Sequence, residues 1–195
     1  MTFDSDEEKY FYWYLEDLKK IGFVEEIIPQ HPVISLSDKK EIKMFEQLKT
    51  KQKPLSHTLL HKHIYTPDFT IVWNEIAADI FTSYIGGFNE KNTPFILANS
   101  AFKFVDKPRS IIEIKPSFDQ HNMTRAFTLN QKWIYNKHDI YVQLIKPVEL
   151  FKKTFIPTRY IWTNNGTRRR KINFKIKLLK EYLCQRKKVL NLSKK

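Results

Sequence analysis

Three ionisable side chains stand out because they interrupt apolar, strand-like stretches of the chain. Asp68 follows Pro67 and precedes Phe-Thr-Ile-Val-Trp, while Glu113 and Lys115 lie within Ile-Ile-Glu-Ile-Lys. Residues two apart in an extended strand project from the same face, so Glu113 and Lys115 are predicted to point the same way. Burying an acid and an amine is costly unless they are paired or bind an ion. The spacing therefore predicts either an ion pair or an ion-binding site.

Two interpretations of this group are compatible with the sequence. In the first, Glu113 and Lys115 form an ordinary ion pair on a solvated sheet face. Ile111, Ile112 and Ile114 place apolar residues on both faces, which is typical of an internal strand and favours the second interpretation. In that case carboxylates from neighbouring strands bind a hard divalent cation such as Mg²⁺. A lysine beside them can orient an attacking water and stabilise charge developing on a phosphate.

Local patterns predict the elements that must position these residues. A capping box of Ser5 and Glu8 begins a helix that ends before Gly22. The elements predicted after it are a strand or irregular β arm over 23–36, a short exposed helix over 38–51, a long strand over 57–73, a strand over 110–115, a helix over 119–137, a strand over 139–145, and a helical turn or short helix over 148–155. This order of helix, strands, helix and strand indicates an α/β sandwich.

Pro67-Asp68 together with Glu113-Ile114-Lys115 resembles the motif of the PD-(D/E)xK nuclease superfamily, whose members have a restriction-endonuclease-like fold. The resemblance covers roughly residues 5–147. It implies a central mixed β-sheet flanked by helices, in which Asp68 and Glu113 bind Mg²⁺ or Mn²⁺ and Lys115 assists the water. A tight hairpin usually joins these two strands in the superfamily, so residues 74–109 are expected to be an insertion between core strands.

The first helix offers a further candidate. Many members of the superfamily have a glutamate there that faces the metal, and the pattern Ser5-x-x-Glu8-x-x-Phe11 is similar to theirs. Glu7 lies closer to the apolar stripe of the helix, so either Glu8 or Glu7 is a candidate catalytic residue. Capping accounts for Glu8, and a favourable interaction with the helix dipole accounts for Glu7, without any catalytic role.

Gln131 is the last candidate catalytic residue. Gln131 and Tyr135 lie one turn apart on the later helix and resemble a Gln-x-x-x-Tyr motif of exonuclease-like members. The alternative is a glutamine on the helix surface beside a tyrosine in the core.

Positive charge is concentrated at the C-terminal end of the chain. The 195 residues include 34 Lys and Arg against 21 Asp and Glu, a net charge of +13. Residues 168–195 hold twelve basic residues and one acid, a net of +11, which leaves about +2 for residues 1–167. This asymmetry predicts a polyanionic partner, although a basic tail can also serve solubility alone. The predicted phosphate contacts are Arg168, Arg169, Arg170, Lys171 and Lys175.

The chain is accordingly predicted to comprise a nuclease-like core over residues 1–150 and a basic, nucleic-acid-binding extension over residues 151–195. Within the extension, Asn164-Asn165-Gly166 is predicted to be a turn and 172–192 an amphipathic basic helical segment.

Composition argues against several other classes. The single Cys184 excludes an intramolecular disulfide and a cysteine-based zinc site, and four glycines argue against a phosphate-cradling loop. The chain lacks an apolar run of the roughly 18–20 residues that span a bilayer, and Met1 precedes an acidic stretch rather than a signal peptide. We therefore expect no membrane partner and a cytoplasmic location, in a bacterial or phage-infected host cell.

The resemblance implies a Mg²⁺-dependent DNA endonuclease that hydrolyses phosphodiester bonds. The sequence contains no base-reading motif, which favours selectivity for DNA structure, as in junction resolvases or phage DNA-processing nucleases. A restriction-type enzyme, which would act as a homodimer, stays open. The alternative from another class is a non-catalytic nucleic-acid-binding accessory protein for DNA packaging or replication, and a third is a membrane-surface protein using the basic segment.

Overall fold

The structure, a computed structural model, describes residues 2–47, 49–87, 93–98, 107–117, 122–163 and 166–192. The helices are α1 (Asp6–Lys20), α2 (Asn122–His138), α3 (Pro147–Lys153) and α4 (Leu179–Leu192). The strands are β1 (Val24–Pro29), β2 (Ile34–Ser37), β3 (Lys40–Gln47), β4 (Gln52–Leu60), β5 (His63–Tyr65), β6 (Phe69–Trp73), β7 (Thr82–Ser83), β8 (Phe95–Ile96), β9 (Arg109–Ile114) and β10 (Val142–Ile145). The predicted mixed α/β class, a mixed sheet flanked by helices, is confirmed.

A four-stranded sheet in the order β1-β6-β9-β10 forms the centre of the fold. The first three strands are antiparallel neighbours, whereas β10 pairs parallel with β9. Strands β6 and β9 are buried along almost their whole length, which explains their continuous apolar sequences. Parallel neighbours need a crossover connection, and α2 lies in the connection from β9 to β10.

Each face of the central sheet has its own apolar cluster. Successive strand residues point to opposite faces, so Ile112 packs with α1 while its neighbour Ile111 packs with α2. The cluster on the α1 face also includes Phe81 and Phe95 from the connection between β6 and β9. The cluster on the α2 face includes residues of β2 and β5, which pair antiparallel beside the main sheet.

The first helix forms as predicted. Ser5 is its N-cap: the Ser5 hydroxyl accepts a hydrogen bond from the Glu8 N–H at 3.2 Å and donates to the Glu8 carboxylate at 2.9 Å. Gly22, at φ +82°, ends the helix in a conformation that glycine adopts without strain. Fully buried Phe11, Tyr14 and their neighbours on the same stripe attach the helix to the sheet.

Two predictions for residues 38–73 are wrong. The helix expected over 38–51 is instead part of an antiparallel hairpin of β3 and β4, in which Pro54 lies opposite Phe45. The long strand expected over 57–73 is divided among β4, β5 and β6, with Pro67-Asp68 between the last two. Lysine and glutamate favour helices locally, but cross-strand pairing with a partner further along the chain overrides that preference.

The C-terminal segment is helical only from Leu179, so the prediction of a helical segment from residue 172 is wrong for residues 172–178. Ile172, Phe174 and Ile176 alternate with exposed residues, as in an extended chain, and pack against the α1-face cluster. Tyr182 of α4 is buried in that same cluster. The basic segment is therefore packed onto the body of the protein. Asp119, Asn164 and Asn165 of the predicted elements lie outside the described residues.

None of the helices within the described ranges has the length and apolarity required to cross a membrane.

Candidate active site

The sheet register brings Asp68 next to Glu113. Phe69 pairs with Ile112 in the antiparallel β6–β9 pair, so the residue before Phe69 lies beside the residue after Ile112. Asp68 Oδ2 accepts a hydrogen bond of 2.6 Å from the backbone N–H of Ile114. Because Ile114 lies between Glu113 and Lys115 in the chain, this hydrogen bond holds the Asp68 carboxylate next to both of those residues.

The Glu113 carboxylate has a partner on each oxygen. The Tyr65 hydroxyl donates to Oε2 at 2.5 Å, and Lys115 Nζ donates to Oε1 at 2.7 Å. The side chains of Lys115 and Glu113 are 17% and 11% exposed, so the pair is shielded from bulk water but still accessible at one side. The predicted common direction of Glu113 and Lys115 is confirmed, and the pair does not lie on a solvated sheet face.

Tyr65 is a functional candidate that sequence reasoning missed. It ends the short strand β5, two residues before Pro67, and is itself buried. Burial and the neighbouring negative charge of Glu113 raise the pKa of the Tyr65 phenol far above its ordinary value, so the phenol stays protonated and donates. No local sequence signal separates this tyrosine from one that only fills the core.

The electrostatics of Asp68 favour a bound cation. Burial, followed by the negative charges of Glu113 and Glu8, raises the pKa of Asp68 to about 7, although the Ile114 N–H and Lys115 act in the opposite direction. The group therefore contains more negative charge than its single lysine neutralises. A cation placed among these oxygens would relieve that repulsion.

Of the two candidate glutamates in the first helix, Glu8 is the one whose charge reaches Asp68. The charge of Glu7 acts on Tyr160 instead. Glu8 also completes the capping box with Ser5, so helix capping and proximity to Asp68 occur in the same side chain.

Gln131 makes a different contact. Its side-chain amide donates to the backbone carbonyl of Val142 at 2.6 Å, which ties α2 to the first residue of β10. Val142 pairs with Ile111, two residues before Glu113 along β9. The structure thus gives Gln131 a stabilising hydrogen bond and does not show it bonded to the three central site residues.

The side-chain oxygens of this group are of the type that binds a hard divalent cation. Asp68, Glu113 and Glu8 offer carboxylate oxygens, the ligands preferred by Mg²⁺ and Mn²⁺. Within the described ranges, however, no group of three or more His, Cys, Asp or Glu side chains is arranged so that it could hold an ion. Mg²⁺ commonly keeps several waters and takes only one or two carboxylates, so the Asp68–Glu113 pair fits this mode.

The basic residues predicted to contact phosphate divide into two kinds. The Arg170 guanidinium lies over the rings of Tyr10 and Tyr160, 4.9 and 4.6 Å from their centroids, and its Nε donates to the Tyr160 carbonyl at 3.2 Å. These contacts fasten the segment to α1. The exposed members of the predicted set are Arg168, Arg169, Lys171 and Lys175.

Lys171 and Lys175 project from the extended stretch whose alternate residues, Ile172, Phe174 and Ile176, pack inward. Residues separated by an even number in such a stretch face the same side, so both amines face solvent together. The alternation in Lys-Ile-Asn-Phe-Lys-Ile is the sequence signal that identifies this arrangement.

Comparison of the chain with known protein families, with curated proteins and with solved structures gives no significant match. A function must therefore be inferred from the protein's own residues and their geometry.

Proposed function

We propose that this protein is a Mg²⁺- or Mn²⁺-dependent endonuclease that hydrolyses phosphodiester bonds in DNA. The observation that carries the proposal is the 2.6 Å bond from Ile114 to Asp68, which joins Asp68 to the Glu113–Lys115 pair. The arrangement agrees with the resemblance to the PD-(D/E)xK superfamily. Asp68 precedes one core strand, Glu113 lies in its neighbour with Lys115 directly after it, and a helix and a further strand follow. We therefore propose a restriction-endonuclease-like core with the predicted 74–109 segment as its insertion, except that Arg109 is the first residue of β9.

Each residue has a role that follows from its contacts. Asp68 and Glu113 would hold the cation, with Glu8 adding negative charge nearby. The bound cation would supply Lewis-acid stabilisation of the phosphate and activation of water. Tyr65 orients Glu113 through the 2.5 Å hydrogen bond to Oε2. Lys115 uses one N–H donor on Glu113 and has further donors for the attacking water or a phosphate oxygen.

In the reaction, a water oxygen attacks phosphorus and forms a new P–O bond. The bond from phosphorus to the leaving sugar oxygen breaks as that bond forms. The water loses a proton, and the leaving oxygen gains one. The Lys115 ammonium, held at 2.7 Å from Glu113, is placed to hold the water and to stabilise negative charge on the phosphate.

The exposed basic residues support DNA as the partner. Arg168, Arg169, Lys171 and Lys175 are all solvent-exposed, as phosphate contacts require. Phosphate contacts are salt-dependent and carry no sequence information. We therefore propose a structure-selective enzyme of the junction-resolvase or phage DNA-processing type.

A non-catalytic nucleic-acid-binding protein is the second candidate. Two observations favour it: both oxygens of Glu113 already have protein partners, and no cage of three metal-ligating side chains is found in the described ranges. In this alternative the Glu113–Lys115 pair would be structural.

Cleavage assays separate these two candidates. The protein would be incubated with Mg²⁺ or Mn²⁺ and labelled linear duplex, single-stranded, flapped and four-way-junction DNA. We expect cleavage of at least one substrate, and a loss of about 10²–10³-fold in Glu113→Gln with DNA binding retained. Glu149→Gln is the matched control, because Glu149 forms an exposed 2.6 Å pair with Lys152 in α3. Binding without cleavage of any substrate by either metal would overturn the enzyme proposal.

A further inference from the structure

The β3–β4 hairpin exposes almost all of its side chains. Every residue of the two strands is exposed except Thr58, which is half-buried. The exposed set includes large apolar side chains, with Phe45 68% and Met44 52% exposed. A two-stranded hairpin is marginally stable alone in water, and a concentration of exposed apolar residues marks an interaction surface.

The same hairpin is positively charged. Residues 40–60 contain five lysines and two glutamates, a net charge of +3. Subtracting this and the +11 of residues 168–195 from +13 leaves −1 for the remainder, so the hairpin is the second basic region of the chain. Packing two hairpins from two copies together would place like charges side by side, which disfavours a second copy as the partner. A polyanion complements both the charge and the exposure.

The strand register defines a face that combines charged and apolar side chains, including Glu41, whose carboxylate accepts a hydrogen bond from Ser56 Oγ at 3.0 Å. Phe45 lies opposite Pro54, and Lys43 lies opposite Ser56, so these four side chains share one face of the ribbon. The Phe45–Pro54 pair lies two register positions before the strand pairing ends at the tip. An aromatic ring and a proline therefore project near the tip, with an amine behind them.

The hairpin is long enough to lie along a DNA groove. Strands of 8 and 9 residues extend about 27–30 Å at the usual rise per residue. Proteins that bind the minor groove frequently insert Phe, Leu, Ile, Met or Pro between base pairs and kink the duplex. Phe45 and Pro54 are residues of this class, and they lie near the tip of the hairpin.

The hairpin is directly connected to the candidate active site. Strand β5 follows β4 after two residues and ends at Tyr65, the residue that donates to Glu113. Strand β2, which precedes β3, pairs with β5. The hairpin is thus joined to the body through the strand pair that carries Tyr65.

We infer that the β3–β4 hairpin is a DNA-distorting arm that enters the minor groove and inserts Phe45 and Pro54 between base pairs. The identity of the polyanion as DNA rests on the proposed function, but the inference concerns binding and distortion rather than cleavage. Unstacking costs least where DNA is nicked, mismatched or branched, so the arm selects such sites. The arm would supply the selectivity for DNA structure that Asp68 and Glu113 do not provide.

The test uses the full chain carrying Glu113→Gln, without added divalent metal, so that cleavage does not interfere. Affinity and bend angle are measured by end-labelled energy transfer on a duplex with one nick or mismatch and on the intact duplex. We expect Phe45→Ala to remove the bend and to weaken binding to the nicked duplex about tenfold, the effect of losing one base-stacking contact. Leu129→Ala on α2 is the control, since Leu129 is 61% exposed and distant in sequence; it should change neither quantity.

A second variant tests the charge. In Lys43→Gln, the slope of log binding constant against log salt concentration should decrease in magnitude by about one, while the fold stays intact. An unchanged bend and affinity in Phe45→Ala would overturn the inference. So would sedimentation showing that Phe45→Ala converts a dimer to a monomer without altering the bend. A Phe45-dependent bend in a protein that never cleaves DNA would overturn the nuclease proposal but would still support the inference of a DNA-distorting arm.

Discussion

The candidate active site and the β3–β4 hairpin place the same residue types in opposite environments. At the site, Glu113 and Lys115 are mostly buried and joined at 2.7 Å. On the hairpin, Glu46 and Lys53 are opposite each other across the two strands, and both are exposed. Each member of a buried ion pair depends on the other for its stability, whereas an exposed lysine is available to a ligand. Burial therefore distinguishes charges that build the site from charges that can capture a substrate.

The largest expected difference between the two regions is in stability. Glu113→Ala removes the hydrogen-bond acceptor of both the Lys115 amine and the Tyr65 hydroxyl, which should cost about 1–3 kcal/mol for each of the two groups. Glu46→Ala on the exposed hairpin should alter the free energy of unfolding by less than about 0.5 kcal/mol. Urea unfolding of both variants measures the difference. Equal losses would show that the Glu113 pair is not the stabilising contact described here.

Asp68 provides the next largest effect, and the effect depends on pH. Folding raises the pKa of Asp68 to about 7, whereas the unfolded chain has an ordinary aspartate pKa near 4. Between about pH 4 and pH 7, Asp68 is therefore protonated in the folded state and ionised in the unfolded state. The contribution of Asp68 to the free energy of unfolding should therefore be greatest below about pH 4 and should fall as the pH rises towards 7. Asp68→Asn removes this loss, so it should stabilise the metal-free protein by on the order of 1–3 kcal/mol at pH 8 and by little at pH 4.

Thermal unfolding at the two pH values checks this prediction, with Glu26→Gln on the exposed part of β1 as the control. Added Mg²⁺ should raise the melting temperature of the unmodified protein at pH 8 and should have less effect on Asp68→Asn. A destabilised Asp68→Asn at pH 8 would show that the Ile114 hydrogen bond outweighs the repulsion among the carboxylates.

The smallest expected effect separates two adjacent arginines. Arg170 lies over the rings of Tyr10 and Tyr160, so Arg170→Gln should cost about 1 kcal/mol of stability. Arg169 is exposed, and Arg169→Gln should leave stability unchanged while it lowers DNA affinity and the salt slope of binding. Unfolding and binding measured on both variants give this comparison. A loss of stability in Arg169→Gln equal to that in Arg170→Gln would remove the distinction.

The common direction of Glu113 and Lys115 can be predicted because local spacing sets it, whereas the proximity of Asp68 follows from the pairing of β6 with β9 and is implied in advance only by the resemblance. Glu113 and Lys115 interrupt an apolar run at a spacing that fixes their common direction, and Asp68 stands immediately before a second such run. The capping box of Ser5 and Glu8 is equally local. These features depend on neighbours along the chain, so they can be predicted before any tertiary contact is known.

What the sequence does not predict depends on distant partners. Tyr65 becomes part of the site only through its contact with Glu113, 48 positions away, and no local pattern indicates it. The choice between Glu7 and Glu8 depends on where α1 lies relative to β6. The prediction of a helix over 38–51 is wrong because lysine and glutamate have helical preferences that cross-strand pairing overrides.

The central proposal is that the buried group of Asp68, Glu113 and Lys115 cleaves DNA with a divalent cation. The most direct measurement is the single-turnover cleavage rate of Lys115→Met, with saturating protein, the best DNA substrate and Mg²⁺. If Lys115 holds the water and stabilises the phosphate, the rate should fall by about 10²–10³-fold while DNA affinity is retained, at a temperature where circular dichroism shows that the less stable variant is folded. Lys152→Met, which alters the matched exposed pair, should cleave at the unmodified rate. A Lys115→Met protein that binds and cleaves DNA at the unmodified rate would contradict the proposal.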